Sequence, residues 1–502
     1  MDLRVTMFGL LLAVSFCLQQ PACGQSEPDP AELAAVRSVQ QHLQQNDLAA
    51  AEKELARQLE LHADFARVHA LHMNFAFAYR RANQHAEAFR HMQKLVDYYV
   101  SASAKEPQLY KQLANAIVSM SKYSRDSNKV GSATAKISNV LDALAARQRE
   151  TPSDATLGAI HDVRLRLLEF LISIEDYEAA EEQLDLELQQ AKQEYDNKSD
   201  DPTFILRLSN ALRSRVELRD AVGAENLEDA RTRQLTFLQS KAAENPAHEK
   251  IISAYLDAHL AAINALAHSR PDEAAKVLVR TQKFVSNLDR SSRPIEQIVL
   301  IAETSFRYLQ KTIDEGRMHA RLIGKMSPAH EFAAWSNGRP LLPEELEGKV
   351  VLLDFWAVWC VSCLESFPHL TEWNEQYAGE GLEVIGVTRF YNYRWDDEKN
   401  VPHKETERPL PQAEELAMLQ KFAAQQKIGY RLAATTPGST YDEKFHVQGL
   451  PQTVLIDRQG KIRLIRVGTG PTVFREIKET IETLLAEKAS GEEKLSEKAA
   501  SP

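Results

Sequence analysis

The sequence predicts a multidomain protein, with an all-α, repeat-like N-terminal domain followed by an α/β C-terminal domain. From about Ala31 to Gly316, Ala, Leu, Gln, Glu and Arg dominate, and apolar residues recur at three- and four-residue spacings. The prolines of this stretch fall at breaks, at Pro107, Pro152, Pro202, Pro246, Pro271 and Pro294. From Ile323-Gly324-Lys325-Met326-Ser327-Pro328 onward the character changes, and short β-branched or aromatic runs alternate with helical ones. A chain of 502 residues also exceeds what one ordinary core organises. The expected segments are a leader at 1–24, a helical region at 25–316, an α/β region at 317–487 and a charged tail at 488–502.

The first segment reads as a secretory signal peptide. Arg4 supplies a basic start, Met7 to Leu18 an apolar core, and Ala22-Cys23-Gly24 small residues for cleavage before Gln25. The expected location is therefore exported, periplasmic or otherwise extracytoplasmic, with membrane contact only through this segment if it stays uncleaved. Cleavage removes Cys17 and Cys23 and leaves Cys360 and Cys363. With 44% hydrophobic and 26% charged residues the composition is that of a soluble globular protein. A net charge of −11 without a basic stretch argues against nucleic-acid binding. The tail from Lys488 to Pro502 is charged and small, without apolar period, and reads as disordered.

In the helical region, Phe75-Ala76-Phe77-Ala78-Tyr79 is followed by Ala88 and Met92. Tyr177-Glu178-Ala179-Ala180 precedes Leu184, and Asp272-Glu273-Ala274-Ala275 precedes Val279. These segments resemble tetratricopeptide repeats at irregular spacing, which implies a helical array that binds protein partners. Phe75, Phe77 and Tyr79 are expected in its core. His69 and His72 share a helix face but have no acid or third His beside them, so packing is expected rather than metal binding.

The C-terminal strands are expected at Val350–Ala357, Leu382–Thr388, Arg431–Thr435, Thr453–Ile456 and Lys461–Val467. Helices are expected near Ser362–Tyr377, Ala413–Gln426 and Val473–Glu487, with Asp457-Arg458-Gln459-Gly460 as a hairpin turn. The polar insertion Tyr391–Pro411 reads as a surface loop. Trp359-Cys360-Val361-Ser362-Cys363 sits where the first strand hands over to a helix. Two thiols three residues apart at a helix N-terminus suit reversible disulfide chemistry, because the dipole and unpaired N–H groups favour a thiolate on the first. Structural zinc needs four ligands, and no second Cys pair exists to supply them. The apolar flanks of Asp354 place its carboxyl inside the fold.

Four ordered motifs carry a resemblance over about Ile323 to Glu487. They are Gly348-Lys349-Val350-Val351-Leu352-Leu353-Asp354-Phe355-Trp356-Ala357 leading to the Cys pair, Gly381-Leu382-Glu383-Val384-Ile385-Gly386-Val387, Phe445-His446-Val447-Gln448-Gly449-Leu450-Pro451-Gln452-Thr453, and Leu455-Ile456-Asp457-Arg458-Gln459-Gly460-Lys461-Ile462. This region resembles the TlpA/ResA-like branch of the thioredoxin superfamily. The resemblance implies a thioredoxin-like fold in which Cys360 attacks a disulfide and Cys363 resolves the mixed disulfide. Pro451 matches the cis-proline, and Leu450 before it pairs with the substrate backbone. Trp359 covers the disulfide, and Asp354 matches the buried acid that takes the proton from Cys363. Many relatives carry a Glu where this chain has Ser366, and Glu365 lies one residue earlier. The implied activity is reduction of protein disulfides without a cofactor, supplied by a membrane thiol-reductant donor, with cytochrome c biogenesis as the family association. Asp354 and the uncharged Val361-Ser362 pair resemble reducing members more than strong oxidants, which favours this expectation over a disulfide oxidase or isomerase; a redox-sensing helical-repeat adaptor is the third reading.

Overall fold

The computed structural model describes residues 29–487, among which thirteen α-helices precede the first strand. The expected leader at 1–24 and tail at 488–502 lie outside the described residues. The helices are α1 (Pro30–Gln44), α2 (Leu48–Leu61), α3 (Ala66–Arg81), α4 (His85–Ala102), α5 (Tyr110–Asp126), α6 (Val130–Glu150) and α7 (Asp154–Ser173). Then come α8 (Tyr177–Asn197), α9 (Pro202–Val222), α10 (Leu227–Glu244), α11 (Glu249–Ala267), α12 (Pro271–Ser286) and α13 (Arg293–Leu322). No helix among the described residues is long and apolar enough to cross a membrane. The chain divides into two compact units between Leu218 and Arg219.

In the first unit, side chains of Asp29, Asp47, Ser153 and Asp176 cap helix N-termini by accepting from backbone N–H groups. Asn46, Asn83 and Asn128 close α1, α3 and α5 with positive φ, a conformation Asn tolerates better than most residues. Leu71, Phe75, Met92, Leu113, Ile117 and Ile137 are buried in one continuous core. Phe77, expected there, is instead 52% exposed, because two residues on from Phe75 the helix has turned away from the core. His72 is buried, with Nδ1 2.8 Å from Nδ1 of His91.

The second unit joins α10–α13 to a six-stranded sheet. Helix α13 runs for 30 residues and continues through Gly316 to Leu322. Gly316 serves packing rather than termination: a Cβ there would lie 1.9 Å from the Ala267 carbonyl oxygen. Leu322, at the end of α13, packs against the sheet core. The strands are β1 (Phe332–Asn337), β2 (Val350–Phe355), β3 (Leu382–Thr388), β4 (Tyr393–Asp396), β5 (Val401–Lys404), β6 (Arg431–Thr435), β7 (Gln452–Ile456) and β8 (Ile462–Val467). Their helices are α14 (Cys363–Tyr377), α15 (Gln412–Gln425), α16 (Tyr441–Lys444) and α17 (Pro471–Ala486).

The main sheet has the order β1-β6-β3-β2-β7-β8, with β2, β3 and β6 parallel and the other pairings antiparallel. Every residue of central β2 is buried, and period-two alternation divides its side chains between two faces. Val350, Leu352 and, beyond the strand end, Trp356 join a cluster with Phe367 and Trp373 of α14, Phe422 of α15 and Ile481 of α17. Val351, Leu353 and Phe355 pack on the other face with Tyr441 and Phe445. The insertion expected as a plain loop contains the antiparallel hairpin β4–β5. Asn392 organises its base: the side-chain amide donates to the Glu405 and Arg408 carbonyls, and its oxygen accepts from Leu410 N–H.

Candidate active site

The strand-to-helix handover after β2 places the two cysteines. β2 ends at Phe355, and α14 starts at Cys363 with Ser362 as its N-cap residue. Cys360 and Cys363 form a disulfide with Cα atoms 5.4 Å apart. The Cys363 N–H points at Cys360 Sγ from 3.2 Å, so an orphan donor of the helix start faces the first sulfur. Ser362 Oγ lies 3.5 Å from the same sulfur. Cys363 is fully buried, whereas Cys360 retains 6% of its surface.

Around Cys360 the surface is apolar and open. Trp359 is 52% and Val361 78% exposed. The Trp359 ring meets Tyr391 edge-on, with centroids 5.7 Å apart. A groove of about 590 Å³ runs past Trp359, Cys360 and Ser362 to Val447, Gln448 and Leu450. Its charged lining residues, Arg389 and Asp442, form an ion pair with each other.

The segment before β7 supplies the opposite wall. The Leu450–Pro451 peptide is cis. Ser362 Oγ donates to the Leu450 carbonyl across 3.4 Å, a long contact that links the cysteine loop to this wall. Gly468 N–H donates to the Pro451 carbonyl at 2.8 Å, and Gln452 Nε2 donates to the Phe445 carbonyl at 3.0 Å.

Beneath this surface lies Asp354, fully buried. Period-two alternation puts its side chain on the face of Leu352 and Trp356, the face whose cluster also contains Cys363. Burial pushes its carboxyl up to about 7. Neither carboxyl oxygen has a hydrogen-bond partner among the described residues, and the same holds for Trp356 Nε1 and Tyr430 OH. Burial, reinforced by the Asp354 charge, raises the Tyr430 phenol well above its ordinary range. Gly386 is the register partner of Asp354 on β3. A Cβ there would lie 3.0 Å from Trp356 Nε1 and 3.2 Å from the Tyr430 ring. The glycine therefore leaves room for both rings beside the carboxyl.

The structure thus gathers Trp359, Cys360, Ser362 and Leu450 at one groove, with Pro451 behind Leu450 and Asp354 in the layer below. Glu365 is exposed and accepts from Thr469 Oγ1 at 2.8 Å, while Ser366 takes the buried position of that turn. Sequence reasoning missed Ser362 as a link, the Arg389–Asp442 pair and Tyr391. Their meeting depends on loops that no motif spacing describes.

The sequence model of the AhpC/TSA family matches residues 323–465. Protein DipZ of Mycobacterium tuberculosis is 30% identical over 160 residues, which is 31% of this chain and 20% of DipZ. The chain therefore spans only a fifth of that relative's length. The thiol:disulfide interchange protein DsbE of Pseudomonas aeruginosa is 29% identical over 185 residues, covering 36% of this chain and 87% of DsbE. The thiol-disulfide oxidoreductase ResA of Bacillus subtilis is 25% identical over 134 residues, covering 27% of this chain and 62% of ResA. With the sheet order and the Cys pair at the head of α14, these matches define the C-terminal third as a thioredoxin-like thiol-disulfide oxidoreductase domain. That domain is similar to the thiol-disulfide oxidoreductases DsbE and ResA.

Proposed function

We propose that the whole protein is an exported reductase of protein disulfides, with Cys360 as nucleophile, Cys363 as resolving thiol and the helical region as a partner-binding surface. The observation that carries this reading is the Cys360–Cys363 pair opening onto an apolar groove above a buried acid. Export rests on the leader-like residues 1–24.

In the reduced protein the Cys360 thiolate attacks one sulfur of a substrate disulfide. A mixed disulfide forms, the substrate S–S bond breaks, and the departing thiolate takes a proton. Cys363 then gives its proton to Asp354 and attacks Cys360 Sγ, which closes the intramolecular disulfide and releases the second substrate thiolate. That thiolate is protonated in turn, so the substrate gains two electrons and two protons and the Cys pair is oxidised. Returning the pair to the dithiol needs an external thiol reductant, for which a membrane thiol transporter is the proposed donor.

The physical roles follow from position. The Cys363 N–H and the helix start stabilise negative charge on Cys360 Sγ. Trp359 and Val361 offer apolar contact to a polypeptide, and the Leu450 backbone offers it a pairing edge beside Pro451. The experiment is trapping with Cys363→Ser, which cannot resolve the mixed disulfide. Capture of partner proteins through Cys360, released by dithiothreitol and abolished in Cys360→Ser, supports the reading. No covalent capture from a folded variant refutes it.

A further inference from the structure

The segment that forms the far wall of the groove is anchored from outside the sheet domain. His319 lies on α13, is buried to 3% exposure, and places Nε2 3.0 Å from the backbone carbonyl of His446. A carbonyl only accepts, so Nε2 carries the proton in this contact. His446 has φ of +50, a left-handed conformation that a non-glycine residue holds at a cost. The same turn is closed by His446 N–H on the Glu443 carbonyl and Val447 N–H on the Asp442 carbonyl. From Val447 to Leu450 every residue lines the groove, and Pro451 follows.

The helix that carries His319 is itself fixed. One turn earlier, Gly316 brings the α13 backbone against Ala267 at the end of α11. His268, the next residue, stacks on His319 with ring centroids 6.1 Å apart. Three residues later Leu322 enters the sheet core. The imidazole is therefore clamped on the helix side and can transmit that fixed position to the loop.

We propose that His319 is a positioning residue for substrate binding, holding the His446–Pro451 wall in register with Cys360 through the His446 carbonyl. The inference rests on the reductase reading above and adds to it that the helical region completes the catalytic unit. The side chain touches neither sulfur, so the intrinsic reactivity of Cys360 is independent of it.

The test uses the full chain. His319→Leu removes the donor, and His319→Gln keeps one that can reach the same carbonyl. With insulin as disulfide substrate, His319→Leu should raise KM about fivefold, the loss of about one ordinary hydrogen bond. Its kcat, and the rate at which iodoacetamide alkylates reduced Cys360, should stay within about twofold of wild type. His319→Gln should restore KM. A folded His319→Leu variant with unchanged KM overturns the proposal. So does a parallel loss of Cys360 alkylation. If His319→Leu does not fold, ring nitrogen NMR of the wild-type protein decides, with His319→Gln used for assignment. The proposal requires an Nε2–H tautomer with a slowly exchanging proton, and an Nδ1–H tautomer overturns it. Activity that is lost in Cys360→Ser but unaffected in His319→Leu keeps the reductase reading and removes only this one.

Discussion

Replacing Asp354 with Asn should stabilise the C-terminal domain, increasingly so as pH rises. In the fold, burial lifts this carboxyl from its ordinary 3.8 to about 7, with no hydrogen bond from the described residues to offset the loss of water. At about 1.4 kcal/mol per pH unit, that gap corresponds to ~4 kcal/mol. The sign follows from proton binding. Between pH 4 and pH 7 the native state holds this proton while the unfolded chain has released it, so stability falls as pH rises. Below pH 4 the group is neutral in both states, and its titration separates wild type from variant by nothing. Above pH 7 the wild type folds around a charge that Asn lacks, and the variant gains up to about 4 kcal/mol. The assay is urea unfolding of oxidised protein at pH 4, 6 and 8, followed by tryptophan fluorescence. All five tryptophans, from Trp335 to Trp395, lie in this domain, so the signal reports it alone. A difference between the proteins that is constant from pH 4 to pH 8 would refute the argument. The proposed proton transfer predicts the opposite effect on chemistry: the same variant should resolve mixed disulfides more slowly while its first attack is unchanged, and equal resolution rates between pH 6 and pH 8 would exclude Asp354 as acceptor.

Alkylation of the reduced protein should label Cys360 before Cys363, since only Cys360 retains exposed surface, and mass spectrometry of quenched samples reads the order. Equilibration against glutathione should give a reducing potential on the order of −250 mV, because Val361 and Ser362 add no charge beside Cys360, and a value near −120 mV would favour the oxidase reading. A fragment of residues 219–487 should unfold at higher urea than one of residues 323–487. The longer piece keeps the His319–His446 bond, the Thr472–Asp220 bond and the bond from Arg475 to the Ala221 carbonyl, and the fluorescence midpoints compare the two directly.

Much of the C-terminal architecture is legible in the sequence because its central strands are buried on both faces. Val350–Phe355, Leu382–Thr388 and Gln452–Ile456 are mostly apolar runs with few polar residues, and Asp457 closes the β7–β8 turn by accepting from Gln459 and Lys461 N–H. The peripheral strands carry no such signal. β1 is bulged against β6, so Phe332-Ala333-Ala334-Trp335 does not alternate, and β4–β5 is a four-residue pairing with Pro402 inside it. Gly316 misleads in a different way. A glycine near the end of a helical run resembles a stop signal, yet here it is the point of closest approach between two helices, which only the partner backbone reveals. The groove shows the same limit. Cys360, Cys363, Asp354 and Pro451 lie inside recognisable motifs, whereas Tyr391 reaches the groove, and His319 the His446 carbonyl, from segments without one.

Finally, Arg389 and Asp442 cancel each other within the groove, and no other formally charged side chain among the described residues lines it. The pair therefore leaves little net charge inside the groove itself, and close approach to Cys360 rests on apolar contact rather than on a charge in the groove. A redox site of this kind gains speed by having its substrate held nearby. Under the proposed division of labour, retention on the helical region would convert a rare bimolecular meeting into repeated sampling at an effective concentration on the order of millimolar. The selectivity of the chemistry would then be set by dwell time rather than by the pull of charge.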